Sequence, residues 1–412
     1  MLGGDRTPRR KYHFICIHAA AIKDDLIGDT EVKILTVDVG TGTQDIFLHN
    51  SQVGIENGFK LIVPSPTMMV HRKIKEATQR GDSILLSGVT MGGGPSQWAA
   101  EEHIKAGHAV FATPHAARSF NDDLEAVEAT GIQVLSEDEA DGLPDNVQRI
   151  ELLDFDFPAI ERAFGQFGVS LDNLAAVAVA VFDHGNAPTD ISDRQFRFDY
   201  IQDRIQATNS LSAFAFHAAD VPEIMTRLQA VVQSARGFDA PLIVMDTAPA
   251  AVLGATFDPL INSRERILIA NIGNFHTLAF RLGPAGIEGV FEHHTGLLDR
   301  EKLDGLLRGL ADGSLKHADV FADHGHGALV INKEPLIFPE NDFGVAVTGP
   351  RRSMIIGSPL NPYLTAPFGD MMITGCFGLL AATASLIPGM RDEIFASLKG
   401  TSSSTPPWEV GG

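Results

Sequence analysis

The chain has 412 residues, enough for two or three domains with sizeable cores, and 44% of them are hydrophobic. A formal net charge of -20 excludes bulk electrostatic binding to nucleic acid or an anionic membrane. No apolar run reaches the roughly 18 residues of a membrane span, and two cysteines, Cys16 and Cys376, give no disulfide framework and fit a reducing, cytoplasmic setting.

Residues 1–31 differ from the rest. Arg9-Arg10-Lys11 precedes a short apolar patch, Tyr12 to Ile22, broken by His13 and His18. The patch is short for an export signal, so a poorly ordered extension is expected. Ile34 to Val39 is then a near-continuous apolar run carrying one acid, Asp38, which suits a buried central strand. Gly40, Thr41, Gly42 and Thr43 follow, then Asp45 and a second run, Ile46 to Leu48. Such a strand-turn-strand can aim backbone N–H groups at phosphate oxygens, because Gly40 and Gly42 carry no Cβ. The hydroxyls of Thr41 and Thr43 add donors, and Asp38 is placed to hold a divalent cation there. An ordinary hairpin is the alternative.

Phe59 to Val63 reads as a third strand, Thr67 to Gln79 as a helix and Ser83 to Val89 as a buried strand. The glycines of Met91 to Ser96 stand between that strand and a helix through Ala106. They could bind an anion, but a simple turn is favoured. Alternation continues with strand Ala109 to Ala112, helix Asp122 to Thr130, strand Ile132 to Leu135 and helix Pro158 to Phe167. Leu174 to Phe182 is another buried strand, ending on Asp183-His184-Gly185-Asn186. Ligands lie beyond the carboxyl ends of such strands, so Asp183 and His184 are site candidates, with a cap or turn as the alternative. Residues 187–219 show no clear period, and Pro222 to Ala235 reads as a helix with Pro222 in its first turn.

The second half repeats the grammar. Leu242 to Met245 is a strand ending on Asp246, followed by a helical turn from Pro249 to Ala255. Arg266 to Ala270 leads into Asn271-Ile272-Gly273-Asn274-Phe275-His276-Thr277, and Leu278 to Leu282 runs out again. Two such hairpins, about 230 residues apart, suggest two lobes gripping one phosphate chain from opposite sides. Leu297 to Leu310 is a helix, and Phe343 to Val347 a strand entering Thr348-Gly349-Pro350-Arg351-Arg352-Ser353. Asp370 to Ile387 is a last apolar helix, and a flexible tail is expected from Thr401 onward. Strong αβ alternation argues for layered α/β lobes. Separately, His293 and His294 beside Glu292, and His324 and His326 after Asp323, cluster metal-capable groups, with Asp183 and His184 in the first lobe. Two histidines and a carboxylate would make a metal site with an open position, and solvated loop histidines are the alternative.

Asp38-Val39-Gly40-Thr41 with Asp45 resembles the first phosphate loop of the actin, heat-shock chaperone and sugar-kinase ATPase superfamily. Asp246 to Ala255 is similar to the connecting segment before the second phosphate loop, Asn271 to Thr277 to that second loop, and Thr348 to Ser353 to the adenosine loop. The helix from Asp370 resembles the one that returns to the first lobe. The likeness runs over residues 32–395. More narrowly, the chain resembles a prokaryotic family labelled pyruvate formate-lyase activating enzyme. A radical activase of that kind needs a three-cysteine cluster motif, which two distant cysteines do not supply, so no iron–sulfur cluster is expected. Two departures stand out: Asn271 replaces the usual aspartate of the second loop, and Asn274 and Phe275 replace two of its glycines.

The resemblance implies a two-lobed actin-like ATPase (ribonuclease H-like) α/β fold with an interlobe nucleotide cleft. Residues 32–250 would form the first lobe with an α/β insertion, 251–369 the second lobe, 370–398 the returning helix and 399–412 the tail. ATP and Mg²⁺ are the expected cofactors. Asp38 and, through water, Asn271 would organise Mg²⁺, and Gly40, Thr41, Gly42, Thr43, Gly273, Asn274 and Thr277 would hold phosphates. Gly349, Pro350 and Arg351 would lie against adenosine, with Asp246 on water and Asp183 on substrate. The expected activity is phosphotransfer to, or ATPase action with, an unnamed small molecule. A metal-dependent carbamoyl or acyl transferase, holding a transition metal on His293, His294, His324 or His326, stays open, as does a non-catalytic nucleotide switch. No nucleic acid or membrane partner is expected, and a homodimer stays open.

Overall fold

The computed structural model describes residues 31–338, 340–401, 405, 406 and 408–410. The expectations for residues 1–30, Cys16 included, and for part of the tail lie outside the described residues.

Strands β1 (Lys33–Val39), β2 (Thr43–Asn50) and β3 (Phe59–Pro64) form an antiparallel meander. An α/β insertion follows, in which β4 (Ile84–Gly88), β5 (Val110–Ala112), β6 (Gln133–Val134) and β7 (Gln148–Leu152) make a parallel sheet of order β6-β5-β4-β7. The chain then returns through β8 (Ala176–Val181), β9 (Ala215–His217) and β10 (Leu242–Asp246), completing a sheet of order β3-β2-β1-β8-β10-β9. All six residues of β8, Ala-Val-Ala-Val-Ala-Val, are buried, as a strand covered on both faces requires. The exposed side chains of β3 and its closing Pro64 fit an edge.

The second lobe contains β11 (Ile267–Ile272), β12 (His276–Gly283), β13 (Gly286–His294), β14 (Gly327–Val330), β15 (Ala346–Thr348) and β16 (Tyr363–Leu364). Their order, β14-β13-β12-β11-β15-β16, repeats the plan of the first sheet: a meander of three strands, then a parallel strand beside the first. Two ribonuclease H-like sheets of this kind make the two-lobed actin-like fold. The helices Thr247–Ala255 and Thr374–Leu386 pack together at the join. Gly254 and Gly378 let their backbones touch, since a Cβ at either would overlap the facing main chain.

Residues 187–219, which showed no period, contain the helix Asp193–Ala207. Its Arg197 is fully buried, with Nη1 2.5 Å from Asp246 Oδ2 at the end of β10 and Nε 3.2 Å from Glu292 Oε2 on β13. This ion triad joins the two sheets. The helix expected from Pro222 starts at Thr226, because Met225 N donates to Pro222 O at 2.9 Å and closes a turn first. The helix expected from Leu297 starts at Arg300, where Asp299 caps it. The last helix starts at Thr374 rather than Asp370, whose carboxylate accepts from Met372 N at 3.1 Å. Among the described residues, no helix is long and apolar enough to cross a membrane.

Candidate active site in the interlobe cleft

A cleft of about 1230 Å³ opens between the lobes, at the carboxyl ends of β1, β8 and β11. Gly40, Thr41, Gly42 and Thr43 line it from one side, and Gly273, Asn274 and Phe275 from the other. The two tips share one turn: Gly40 N donates to Thr43 O at 2.9 Å, and Gly273 N donates to His276 O at 3.0 Å. They face each other closely, since a Cβ on Gly42 would lie 3.5 Å from Asn274 Nδ2. Thr348, Gly349 and Pro350, at the end of β15, also line the cleft.

Asp38 and Asp45 sit directly opposite each other on β1 and β2, and both line the cleft. Thr247 Oγ1 donates to Asp38 Oδ1 at 2.6 Å. Burial raises the Asp38 pKa, the Thr247 hydrogen bond opposes this, and the Asp246 charge adds to it. Burial and then the Asp38 charge raise Asp45 further, and Asp45 Oδ1 is buried with no hydrogen-bond partner among the described residues. Two facing carboxylates that repel each other, one with an unsatisfied oxygen, suit a divalent cation. Gly375 of the last helix backs this pair, and a Cβ there would overlap the Asp38 carboxylate. Asn271, at the matching place in β11, lines the opposite wall.

Several expected site residues do not reach the cleft. Asp183 Oδ1 accepts from Gly185 N and Oδ2 from Leu228 N, both at 2.8 Å, so its two oxygens are spent on backbone. Asp246 Oδ1 caps the helix Thr247–Ala255 by accepting from Ala248 N at 3.2 Å, and Oδ2 faces Arg197. An acid closing a strand before a helix is a natural N-cap, and that role has claimed Asp246, whereas Asp183 closes a turn on Gly185 and accepts from the first turn of the helix Thr226–Ser234. Thr277 is fully buried, with its hydroxyl 2.9 Å from that of Thr295. Arg351 is exposed and outside the cleft lining.

The histidines regroup as well. His293 is buried, with Nε2 3.1 Å from Asp323 O and 3.2 Å from Asp323 Oδ2, and His324 is exposed on a turn with φ of 65°. Neither joins a cluster. His184, His276 and His326 do: one nitrogen from each lies within 4.8 Å of the others, and all three line the cleft. His294 flanks them, its ring centre 4.6 Å from that of His326 and 5.1 Å from that of His276. Burial and then the neighbouring histidines hold His276 well below its ordinary pKa, so its ring is neutral. Phe182 stacks on His276 at 4.2 Å, with the Arg197 guanidinium 4.7 Å from the Phe182 ring centre. His276 escaped the sequence reading although a signal existed. The Gly283–Gly286 turn fixes the β12–β13 hairpin, and counting back from it sets His276 beside the His293–His294 pair, with the register shift between Arg281 and Leu282 bringing it opposite His294.

The insertion borders the cleft. Its Gly92, Gly93 and Gly94 line the wall, and Phe275 packs edge-on against Trp98 with ring centres 6.0 Å apart. Gly92 N points at both Asp154 oxygens, at 3.3 and 3.2 Å, and Arg227 holds the same carboxylate at 2.6 Å. That backbone N–H is therefore committed to a carboxylate of the protein itself.

Residues 91–354 match the family described as "Putative pyruvate format-lyase activating enzyme (DUF1786)". The chain belongs to that family. Among solved structures it is similar to the activator of the 2-hydroxyisocaproyl-CoA dehydratase from Clostridium difficile with bound ADPNP. There the identity is 10% over 88% of this chain and 98% of that one, with a TM-score of 0.34. It is also similar to the ROK hexokinase from Thermus thermophilus, at 11% identity over 90% of this chain and 88% of that one, with a TM-score of 0.23. No curated protein matches the chain. The strand order, and not these distant likenesses, defines the fold.

The family's label bears on Cys376. Its Sγ lies 3.1 Å from Asp45 O and 3.8 Å from Thr36 O, fully buried behind the first hairpin, and burial raises the thiol pKa well above the usual value. A thiol so placed is a core side chain, inert towards metal or oxidant.

Proposed function

We propose that this family member binds ATP·Mg²⁺ in the interlobe cleft and transfers the γ-phosphoryl group to a small molecule or to water. One observation carries the reading: two hairpin tips with the same turn, one from each lobe, line a single cleft that has an acid pair at its floor. Backbone amides of Thr41, Gly42 and Thr43, with that of Asn274, would take the phosphate oxygens, while Gly273, whose own N–H closes the turn, would allow close approach. Gly349 and Pro350 would border the adenosine.

Asp38 and Asp45, with Asn271 acting through water, would suit Mg²⁺, which takes one or two carboxylates and keeps several waters. When bound, the ion neutralises the charge that develops on the transferred group. Asp38, oriented by Thr247 and with a raised pKa, would receive the proton of the attacking hydroxyl. The γ-phosphorus–oxygen bond breaks as the new one forms, and ADP leaves with the electron pair. Catalysis here is positioning and charge neutralisation, which the two tips supply.

The test is a thermal-shift panel of nucleotides with and without Mg²⁺, followed by an assay of ADP release. A nucleotide at 100 times its dissociation constant adds about 2.7 kcal/mol to stability. Absence of any Mg²⁺-dependent shift with all nucleotides sinks the proposal. A second reading, a nucleotide-gated switch, gains from the withdrawal of Asp183 and Asp246 from the cleft. It expects the same shift with negligible ADP release.

A further inference from the structure

The acid pair leaves the histidine cluster unexplained. His184 comes from the first lobe, three residues beyond the end of β8, whereas His276 begins β12 and His326 immediately precedes β14 in the second. Three imidazoles from two lobes thus converge to within 4.8 Å at their nitrogens. His276 Nε2 and His326 Nδ1 are sealed from solvent with no hydrogen-bond partner among the described residues, and His326 is only 1% exposed. A buried polar atom without a partner costs about 1–3 kcal/mol, so two in one cluster ask for an occupant.

We infer that His184, His276 and His326 form a site for one late first-row transition-metal ion of the Zn²⁺ class, bridging the lobes with a position open to the cleft. Nitrogens round a tetrahedral Zn²⁺ at bonds of about 2.0–2.1 Å stand about 3.3 Å apart. The present spacing closes to that by rotation about the histidine χ2 angles, whose wells are broad. An all-imidazole set suits Zn²⁺, Ni²⁺ or Cu²⁺ and discriminates against Mg²⁺ and Ca²⁺, which take oxygen ligands. The site is thus chemically separate from Asp38 and Asp45. The nearby Arg197 charge is balanced by Asp246 and Glu292. With three protein ligands, the fourth position faces the cleft and can take water or a substrate oxygen. Because one ligand belongs to the first lobe and two to the second, metal binding holds the lobes together.

The inference does not rest on the nucleotide reading, and its test uses no nucleotide. The untagged full-length chain, stripped with a chelator, is titrated with Zn²⁺ against a chromophoric competitor and with Co²⁺ in a spectrophotometer. The expected result is one ion per chain, the strong visible absorption of four-coordinate Co²⁺, and a higher melting temperature with Zn²⁺. His184 is open to the cleft, so His184→Ala keeps the lobe packing while removing a ligand. It should weaken Zn²⁺ binding by more than about tenfold and abolish the melting shift. His326→Ala and His276→Ala should do the same where circular dichroism shows them folded. His115→Ala, an exposed residue of the insertion, should bind as the unaltered chain does. Unchanged affinity in folded His184→Ala, or stoichiometric Zn²⁺ binding that His115→Ala removes instead, overturns the site.

Discussion

The two hairpins use one backbone for two chemistries. In the first, Asp38 and Asp45 face each other across β1 and β2, and in the second the matching register pairs Asn271 with Leu278. Gly40 and Gly273 close the same turn, yet Gly42 in one corresponds to Phe275 in the other, and Thr43 to His276. The first tip is small, acidic and suited to a hard cation. The second has traded acid for an amide and hydroxyl for imidazole, and its bulky ring is propped against Trp98. A duplicated fold fixes where the loops point, and the side chains placed on them decide what they hold.

That contrast can be broken at its seam. Arg197→Ala leaves Asp246 and Glu292 as buried charges without their cation, and should cost about 3–5 kcal/mol in denaturant unfolding. A loss well below 1 kcal/mol would mean that the halves are not sewn together there. Next in size, Asp38→Ala should lower Mg²⁺-dependent ADP release by at least about a hundredfold, or about 2.7 kcal/mol at 1.36 kcal/mol per tenfold. Asn271→Ala should cost about tenfold at most if the second tip contributes only a neutral ligand. Equal losses would erase the difference between the tips.

A pH experiment sharpens it further. Asp45 moves from its ordinary 3.8 to about 8 on folding, through burial and the Asp38 charge. Between those values the native protein keeps a proton that the unfolded chain has lost, so this group's contribution to stability falls as pH rises. Asp45→Asn should therefore gain in melting temperature relative to the unaltered chain on going from about pH 5 to about pH 8. A constant difference would contradict the raised pKa. Bound Mg²⁺ should flatten the slope in the unaltered chain, since the ion replaces the proton. The smallest effect belongs to Phe275→Gly, which makes the second tip resemble the first. Calorimetric titration should show nucleotide affinity rising by less than about tenfold, roughly 1.4 kcal/mol.

Most of the scaffold was legible because central strands are written as continuous apolar runs. β1, β8, β10 and β11 all fall where those runs stand. The turns were legible because glycine marks them. The helix Asp193–Ala207 was not, since Arg197 occupies a core position beside Phe198, Tyr200 and Ile201 and hides the helical period. Its burial makes sense only with Asp246 and Glu292, which lie 49 and 95 residues further on. Asp183 and Asp246 show a second kind of blindness. Their place at strand ends could be read, but whether a carboxylate turns to the cleft or to a helix N-terminus depends on neighbours such as Leu228 and Arg197. Asp45 was seen beside Asp38, and its unsatisfied oxygen needed coordinates.

The closeness of Gly375 to Asp38 has a consequence for how the protein is made. Asp38 emerges from the ribosome well before the helix Thr374–Leu386 that covers it, and Cys376 on that helix contacts Thr36 across 340 positions. Until then the first strand pair lacks its lid, and its acids stay hydrated like any surface carboxylates. The acid pair is therefore enclosed only once that helix has been made.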